Sequence, residues 1–363
     1  MSAILPSIAS RELLCRHFGA CGGCTLQNLT ARDYRDLKRN KILDALARSG
    51  LGSAFLEDVV NVPPRSRRRA TLKVLKKSGE VQIGFHALRS HDIVDMRECL
   101  VLTSGLFETT QCLRRTLAAI LREGEGVDLY VFEADNGFDL DISLNRKLAL
   151  DIFAEIAAFA PKLNIIRMTA GGDLLYQAAA PEVRFGKARV KPPPRAFLQP
   201  TREGEAVLQS RVLETVGKAR NVVDLFSGCG TFALPVAENA KVHAVDSDGS
   251  FLEAFAAAAR TTSGLRPVTI ERRDLFKHPL TAQELNRFDT AILDPPRAGA
   301  LAQAKMLAKS DLKRIAYVSC DAASFARDAE VLVDGGFRLA RIMGVDQFLW
   351  SAHIELAATF TRE

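Results

Sequence analysis

From residue 221 to its end the chain repeats one arrangement, a short apolar run followed by an amphipathic helix. "NVVDLF", "KVHAVD", "TAILD" and "RIAYVSC" are the runs; "TFALPVAENA" and "SFLEAFAAAAR" are two of the helical stretches between them. Strands that are apolar on both faces must be covered on both faces. Helices as connectors supply that cover, so an α/β fold with a doubly wound, mostly parallel sheet is expected. "FRLARIMGV" and "HIELAATFT" continue it as later strands. In such sheets ligands bind beyond the carboxyl ends of the strands, and the chemistry is sought there.

Upstream the period changes. Between about residues 60 and 185, "RATLKVLKK", "EVQIGFHA", "VDLYVFEA" and "GFDLDISL" read as strands, with turns such as "KSGE" and "DNG" between some of them. One amphipathic helix around "SGLFETTQCLRRTLAAILREG" interrupts them. An earlier helix lies in "LTARDYRDLKRNKILDALARSG": Thr30 caps it, Asp33 closes a capping box, Leu29 and Tyr34 staple its start, and Ser49-Gly50 ends it. The prolines of "KPPPRAF" cannot continue a regular element and mark a boundary between 1–190, a strand-rich region, and 191–363.

Charge and cysteine content narrow the setting. With 47% apolar and 25% charged residues the chain reads as a globular protein, and it has no apolar run of about 18 residues to span a membrane. The opening "MSAILPSIASRELLC" does not resemble a signal peptide, and seven cysteines are an odd set for a disulfide framework, so a reducing cytoplasm is expected. The net charge of +6 is concentrated in two clusters: Arg65, Arg67, Arg68, Arg69, Lys73, Lys76 and Lys77, then Arg184, Lys187, Arg189, Lys191 and Arg195. Either could be a solvated edge or a surface that contacts phosphates.

Cys15, Cys21 and Cys24 are spaced C-x5-C-x2-C, and Cys99 follows 75 residues later. Four thiolates can hold zinc or an iron–sulfur cluster, and spacing leaves both open. Cys112 sits in a helical pattern and reads as a packed thiol; Cys229 sits inside a glycine turn.

The strand ends carry the rest. Gly228 and Gly230 let backbone approach a ligand, and Asp246 ends the next strand where a carboxylate can accept from ribose hydroxyls. The turn fits a weak dinucleotide fingerprint or S-adenosylmethionine. An NAD-dependent oxidoreductase leaves Cys320, Glu355 and the "DPPR" loop unexplained. Prolines 295 and 296 stiffen the loop that carries Asp294. Cys320 lies between a strand and a helix start, a place that lowers a thiol pKa and suits a nucleophile. Glu355 stands in an apolar strand, and spacing alone does not bring it to Cys320.

Together "RAFLQPT", "DLFSGCGTFALP", "AVDSD", "LDPPRAG", "YVSCDAASFARD" and "DQFLWSAHIE" resemble the class I S-adenosylmethionine methyltransferases that make 5-methyluridine in RNA. "CRHFGACGGCTLQ" with "ECL" resembles the ligand set of the iron–sulfur, 23S ribosomal RNA branch, in a short form without an N-terminal RNA-binding barrel. The resemblance implies a class I methyltransferase domain after a strand-rich domain with a [4Fe–4S] cluster on Cys15, Cys21, Cys24 and Cys99. It implies that Cys320 adds to uracil C6, Glu355 removes the C5 proton and Asp294 contacts the uracil. Gln199, Phe226, Gly228, Asp246 and Asp294 then bind S-adenosylmethionine, while Phe197, Arg297, Arg65, Arg67, Arg68 and Arg69 meet the RNA. The implied partner is 23S ribosomal RNA, with no DNA, no membrane and a monomeric protein. A transfer RNA methyltransferase keeps the reaction and changes the partner; a noncatalytic iron–sulfur RNA-binding protein leaves the Cys320–Glu355 pair without a purpose.

The chain departs from the family pattern at Asp321-Ala322, where Asn-Pro is usual, at Leu349 for proline, Ser351 for threonine and Thr201 for asparagine. A carboxylate at Asp321 would disfavour a thiolate at Cys320 if it faced the sulfur.

Overall fold

The computed structural model describes residues 14–52 and 56–363. The signal-peptide reading falls largely on residues 1–13, outside them.

Two sheets organise the chain. The second half builds β11 (Asn221–Leu225), β12 (Lys241–Asp246), β13 (Val268–Arg272), β14 (Thr290–Leu293), β15 (Arg314–Ser319), β16 (Arg338–Asp346) and β17 (Glu355–Thr361). An early pair of residues, β1 (Val60–Asn61), adds the eighth strand. The order is β1-β16-β17-β15-β14-β11-β12-β13. All pairings are parallel except those of β17, which lies antiparallel between β15 and β16. The central strand β14 is buried along its whole length, as a strand covered on both faces must be. One face is covered by α5 (Arg202–Val216), α6 (Ala233–Ala237) and α7 (Gly249–Thr261), the other by α1 (Ala31–Arg48), α8 (Ala282–Leu285), α9 (Leu301–Ala308) and α10 (Ala322–Asp334).

The second sheet has the order β4-β3-β2-β5-β6-β7-β8, in which only β6 and β7 are parallel. Its strands are β2 (Arg69–Lys77), β3 (Glu80–His86), β4 (Ile93–Asp95), β5 (Gly126–Glu133), β6 (Phe138–Ile142), β7 (Ile165–Ala170) and β8 (Asp173–Gln177). Ala70, Leu72 and Val74 alternate inward from β2 and meet α2 (Ser104–Cys112), α3 (Arg114–Ile120) and α4 (Leu150–Phe159). The single helix expected around 104–124 is broken at Leu113, which is wholly buried and ends α2 as it begins α3.

The boundary expected at 190 does not cleanly separate either the sheets or the packing. α1 and β1 belong to the eight-stranded layer. The hairpin of β9 (Val183–Phe185) and β10 (Ala188–Val190) buries Val183, Phe185, Ala188 and Val190 in its core. α1 begins as expected at Thr30, whose hydroxyl accepts from the Asp33 amide. The Asp33 carboxylate accepts from that same hydroxyl, not from the Thr30 backbone, so the capping box is half formed.

Tyr34, Lys38, Ile42, Ala45 and Leu46 form the buried stripe of α1. Lys38 there is wholly buried, and so is its partner Asp346 at the end of β16, 2.7 Å away. The Tyr34 hydroxyl donates to the other Asp346 oxygen at 2.5 Å and accepts from the Trp350 amide. Lys38 also donates to the His353 carbonyl. Desolvation pulls the Lys38 pKa down and Asp346 opposes it. Removing one partner of a buried pair leaves an uncompensated charge, so Asp346→Asn is expected to destabilise by about 3–5 kcal/mol. Denaturant unfolding monitored by circular dichroism checks this; a loss below about 1 kcal/mol would show that the pair is not a fastener.

Candidate active site

The glycine turn after β11 opens a cleft of about 440 Å³ at the carboxyl ends of the parallel strands. Phe226, Gly228 and Gly230 all have positive φ, at 65°, 54° and 89°. A non-glycine residue in that region is uncommon and is found where a ligand or turn requires it. A Cβ on Gly230 would stand 3.0 Å from Leu234 and Phe255, whereas one on Gly228 would meet open space. Gly230 therefore serves packing and Gly228 faces the cleft. Asp246 fixes the turn: its oxygens accept from the Gly228 amide at 2.8 Å and the Asp248 amide at 2.9 Å. Each oxygen keeps a further acceptor position for a ligand hydroxyl.

Cys320 follows β15 and Glu355 begins β17. These strands are antiparallel with Ser319 opposite Leu356, so the next step of the same register sets Cys320 opposite Glu355. Directly opposed residues share one face of a sheet. This is the approach that sequence spacing left open. Both residues line the cleft with Asp294, Arg297 and Phe197. Gln199 and Gln347 close a chain of amides behind them. Gln347 donates to Gln199 at 2.7 Å and to Glu355 at 3.1 Å, and Gln199 donates to Asp294 at 3.5 Å.

The electrostatics differ from the expectation at Cys320. Its thiol pKa is raised to about 11, by burial first and then by Glu355 and Asp294; Arg297 acts in the lowering direction. The thiol is raised although it precedes a helix: burial and the two carboxylates outweigh what lowers it, and Asp321 already caps α10 by accepting from the Ala323 and Ser324 amides. That use of Asp321 also turns its carboxylate away from the sulfur: it is not among the charges that raise the thiol. Burial lifts the Glu355 carboxyl to about 7, with Gln347 opposing. Asp294 is raised well above the carboxylate range by burial and by Glu355, Asp224 and Asp246.

Several participants were not singled out in the sequence. Asp224 is wholly buried, and neither carboxylate oxygen nor the Ser227 hydroxyl beside it has a hydrogen-bond partner. Burial and Asp246 push Asp224 toward its neutral form. Phe276 is 49% exposed with its ring centroid 5.4 Å from Phe226 at the cleft wall. His353 accepts from Arg297 at 2.7 Å. Asp224 and Ser227 lay inside "DLFSGCGTFALP", and Gln347 and His353 inside "DQFLWSAHIE"; only Phe276 lay outside the quoted motifs. Cys229 lines the cleft as an inert group, with its thiol raised to about 12 by burial and then by Asp246 and Asp248.

The basic cluster at 65–69 splits. Arg68 is 1% exposed, donates to Glu205 at 2.7 Å and to the Gln199 carbonyl at 3.2 Å. It is a structural fastener and leaves the set of RNA contacts, because its charge is already paired out of solvent. Arg69 lies 4.7 Å from the centroid of the Phe197 ring, itself 55% exposed. Arg67 donates to the Arg69 carbonyl, and exposed Arg65 reaches the Cys99 carbonyl at 3.4 Å.

The long-range cysteine arrangement forms. Cys15, Cys21, Cys24 and Cys99 line one cavity, with Cys21 bridged to Ala87 beside β3. Burial is the first cause of a raised pKa at each of the four. Only about 20 Å³ lies between the lining groups, roughly the room of one water. Among the described residues no group of three or more His, Cys, Asp or Glu is arranged to hold a metal ion. The thiols thus converge without forming a finished ligand shell. Cys112 is exposed, not packed as its helical pattern suggested, because α2 turns that position outward.

A Cys320 thiol at about 11 is thiolate in roughly one molecule in ten thousand at pH 7. Alkylation of Cys320 in the free protein, followed on its own peptide by mass spectrometry, should be slow at neutral pH and rise toward pH 11. Glu355→Gln removes a carboxylate and should move that midpoint to lower pH. An unmoved midpoint would exclude Glu355 as a cause.

The family model for tRNA (uracil-5-)-methyltransferases matches residues 268–363. An uncharacterized RNA methyltransferase of Rhizobium meliloti (strain 1021) is 40% identical over 354 residues, covering 96% of this chain and 85% of that one. The 23S rRNA (uracil(1939)-C(5))-methyltransferase RlmD of Thiobacillus denitrificans is 31% identical over 381 residues, covering 100% of this chain and 88% of its own. Among solved structures, the Pyrococcus abyssi tRNA (uracil-54, C5)-methyltransferase in complex with S-adenosyl-L-homocysteine superposes with a TM-score of 0.71 at 23% identity. That superposition covers 94% of this chain and 86% of the other, and it establishes a common fold.

Proposed function

We propose, from the premise that this chain belongs to the RNA uracil-5-methyltransferase family, that it methylates C5 of a uridine in 23S ribosomal RNA with S-adenosylmethionine as donor. The observation that carries the reading is the register that sets Cys320 opposite Glu355 in a cleft shared with Asp294. The ribosomal choice follows the RlmD relative, which this chain matches over its whole length. Such an enzyme works where RNA is processed, in the cytoplasm, and among the described residues no helix is long and apolar enough to cross a membrane.

The cleft suits the donor. The open face of Gly228, the remaining acceptor positions of Asp246, and the Ser227 hydroxyl form an acidic, hydrogen-bonding cradle. It complements a nucleoside with an ammonium and a sulfonium. S-adenosylmethionine would supply an electrophilic methyl group there. Phe226, Gly228, Asp246, Gln199 and Asp294 would hold it, with Phe276 added as an aromatic wall.

The chain's own residues do the remaining work. Uracil C5 is a weak nucleophile until a thiolate adds at C6 and makes the ring an enolate. Cys320 would form that bond. The later steps remove the C5 proton and release the thiolate. Glu355, with a pKa of about 7, is poised to take the proton near neutral pH. Asp294 and Gln199, tied to each other, would orient the uracil. Arg297 draws the Cys320 pKa down and stands near the ring's entry with Phe197. A paired base cannot reach the thiol, so the uridine must be unstacked into the cleft. Arg69 behind Phe197, with Arg65 and Arg67 nearby, would meet the flanking RNA.

A [4Fe–4S] cluster would be held by Cys15, Cys21, Cys24 and Cys99. Four soft donors at one cavity suit iron–sulfur chemistry, and the half-buried Arg67, which feels Cys99 and Cys24, would offset part of the thiolate charge. Methyl transfer moves no net electrons, so the cluster would be a fastener between the N-terminal segment and the loop after β4 that carries Cys99.

Incubation with labelled donor and RNA lacking the modification, followed by mapping of the modified base, tests the function. The expected product is 5-methyluridine in 23S RNA; label in transfer RNA alone would reassign the substrate. Cys320→Ala should form neither product nor covalent RNA adduct. Glu355→Gln should accumulate adduct, and wild-type adduct resolution should decline as pH falls through about 7, where the carboxylate is protonated. Normal turnover by either variant would refute its assignment. Anaerobic iron and sulfide analysis should return four of each per chain, the composition of a [4Fe–4S] cluster; stoichiometric zinc without sulfide would overturn the cluster.

A further inference from the structure

The β9–β10 hairpin carries the second basic cluster, which the reaction leaves unused. Val183, Phe185, Ala188 and Val190 face the core, so Arg184, Lys187 and Arg189 stand outward. Arg184 and Arg189 are direct register partners. Like charges facing one another across a pair of strands are destabilising unless something anionic lies between them. The chain supplies little. Lys187 lies 3.6 Å from Glu238 and remains 61% exposed; Arg189 and Lys191 share Glu182 at 3.3 and 3.9 Å, and none of these ion pairs reaches Arg184.

These cations line a groove with Thr261, Thr262 and Ser263 at the end of α7. The carbonyl end of a helix repels anions. Here the Thr261 and Thr262 hydroxyls donate back to the Ala257 and Ala258 carbonyls, which quiets that end. The groove also has a definite place. α7 starts just after Asp246 at the cleft and runs 13 residues, about 20 Å, to the opposite edge of the sheet. From there β10 leads back through Lys191 and Arg195 to Phe197 at the cleft mouth. On that return Lys191 stays 63% exposed, whereas Arg195 is paired with Asp141.

We infer that this hairpin is a second RNA-binding surface, which holds the phosphate backbone of the substrate at a distance from the reacting uridine. The inference rests on the RNA methyltransferase reading above. Its chemistry is positioning without base readout, since guanidinium and ammonium groups contact phosphates and carry no sequence information. It enlarges the RNA footprint on a chain whose other basic cluster is partly consumed by the Arg68–Glu205 pair.

Full-length protein with Arg184, Lys187 and Arg189 all changed to Gln tests it by salt titration of poly(U) binding. Each lost phosphate contact on a single strand removes about 0.7 from the slope of log K against log salt, so a loss of about 2 is expected. The thermal midpoint and S-adenosylmethionine affinity should stay at wild-type values. A wild-type slope in the folded variant overturns the proposal. A wild-type slope with lost binding to ribosomal subunits also overturns it and assigns the surface to a protein partner. If the triple variant does not fold, Arg184→Gln alone must lower the slope by about 0.7. Absence of methyl transfer by the unaltered protein would sink the functional reading while leaving the slope difference to be read independently.

Discussion

The ion pair between Lys38 and Asp346 holds the most distant parts of this molecule together. It spans 308 residues and is closed to solvent on both sides. Gln347 follows Asp346 directly, and the loop after it passes Trp350 and His353, both anchored to α1, before Glu355 begins β17. The active-site amide chain therefore inherits its position from a helix at the other end of the sequence. The same helix packs Tyr34 against the second sheet's core, and the Thr25 and Leu26 amides donate to the Trp350 carbonyl. One buried charge pair thus sets the place of the cysteine-bearing segment and the carboxylate together.

The cleft itself is built around an imbalance. Asp294 and Glu355 crowd a thiol that has Arg297 as its near cation, and Asp294 is in turn raised by Asp224 and Asp246. Alone, that set suppresses the thiolate. A cationic ligand among the carboxylates offsets their field and favours ionisation of Cys320. In the proposed reaction the methyl donor brings such a cation, so the nucleophile would be unmasked when the donor is present. Burial raises Asp224, Asp294 and Glu355 together, which reduces the negative charge the cleft carries.

Much of the fold was legible because its causes are local. Most strand runs from 221 onward are short and mainly apolar, and the helix stripes and glycine turns between them punctuate them clearly. β13 was harder: it is the sheet edge, only partly buried, and its "VTIER" lacks the continuous apolar run. The break at Leu113 was invisible because the helical periodicity runs through it. The Cys320–Glu355 approach depended on one antiparallel strand inserted into a parallel sheet, a topological fact that spacing does not encode. Arg68 and Arg69 are adjacent and chemically alike, yet one is sealed against Glu205 and the other lies on Phe197. Strand alternation predicted that neighbours would point apart, but not which would find a carboxylate.

The two-residue strand β1 is easily overlooked, yet it seals the outer edge of β16. That edge would otherwise offer unpaired backbone to any neighbouring chain. Because Val60 and Asn61 are synthesised long before β16, the N-terminal segment must wait for nearly the whole polypeptide to emerge before its partner exists. Such sequence separation slows folding by deferring its reward until distant segments meet. The catalytic layer is accordingly a late product of biosynthesis, and the second sheet, whose strands are complete by residue 177, can assemble first and serve as the platform on which it closes.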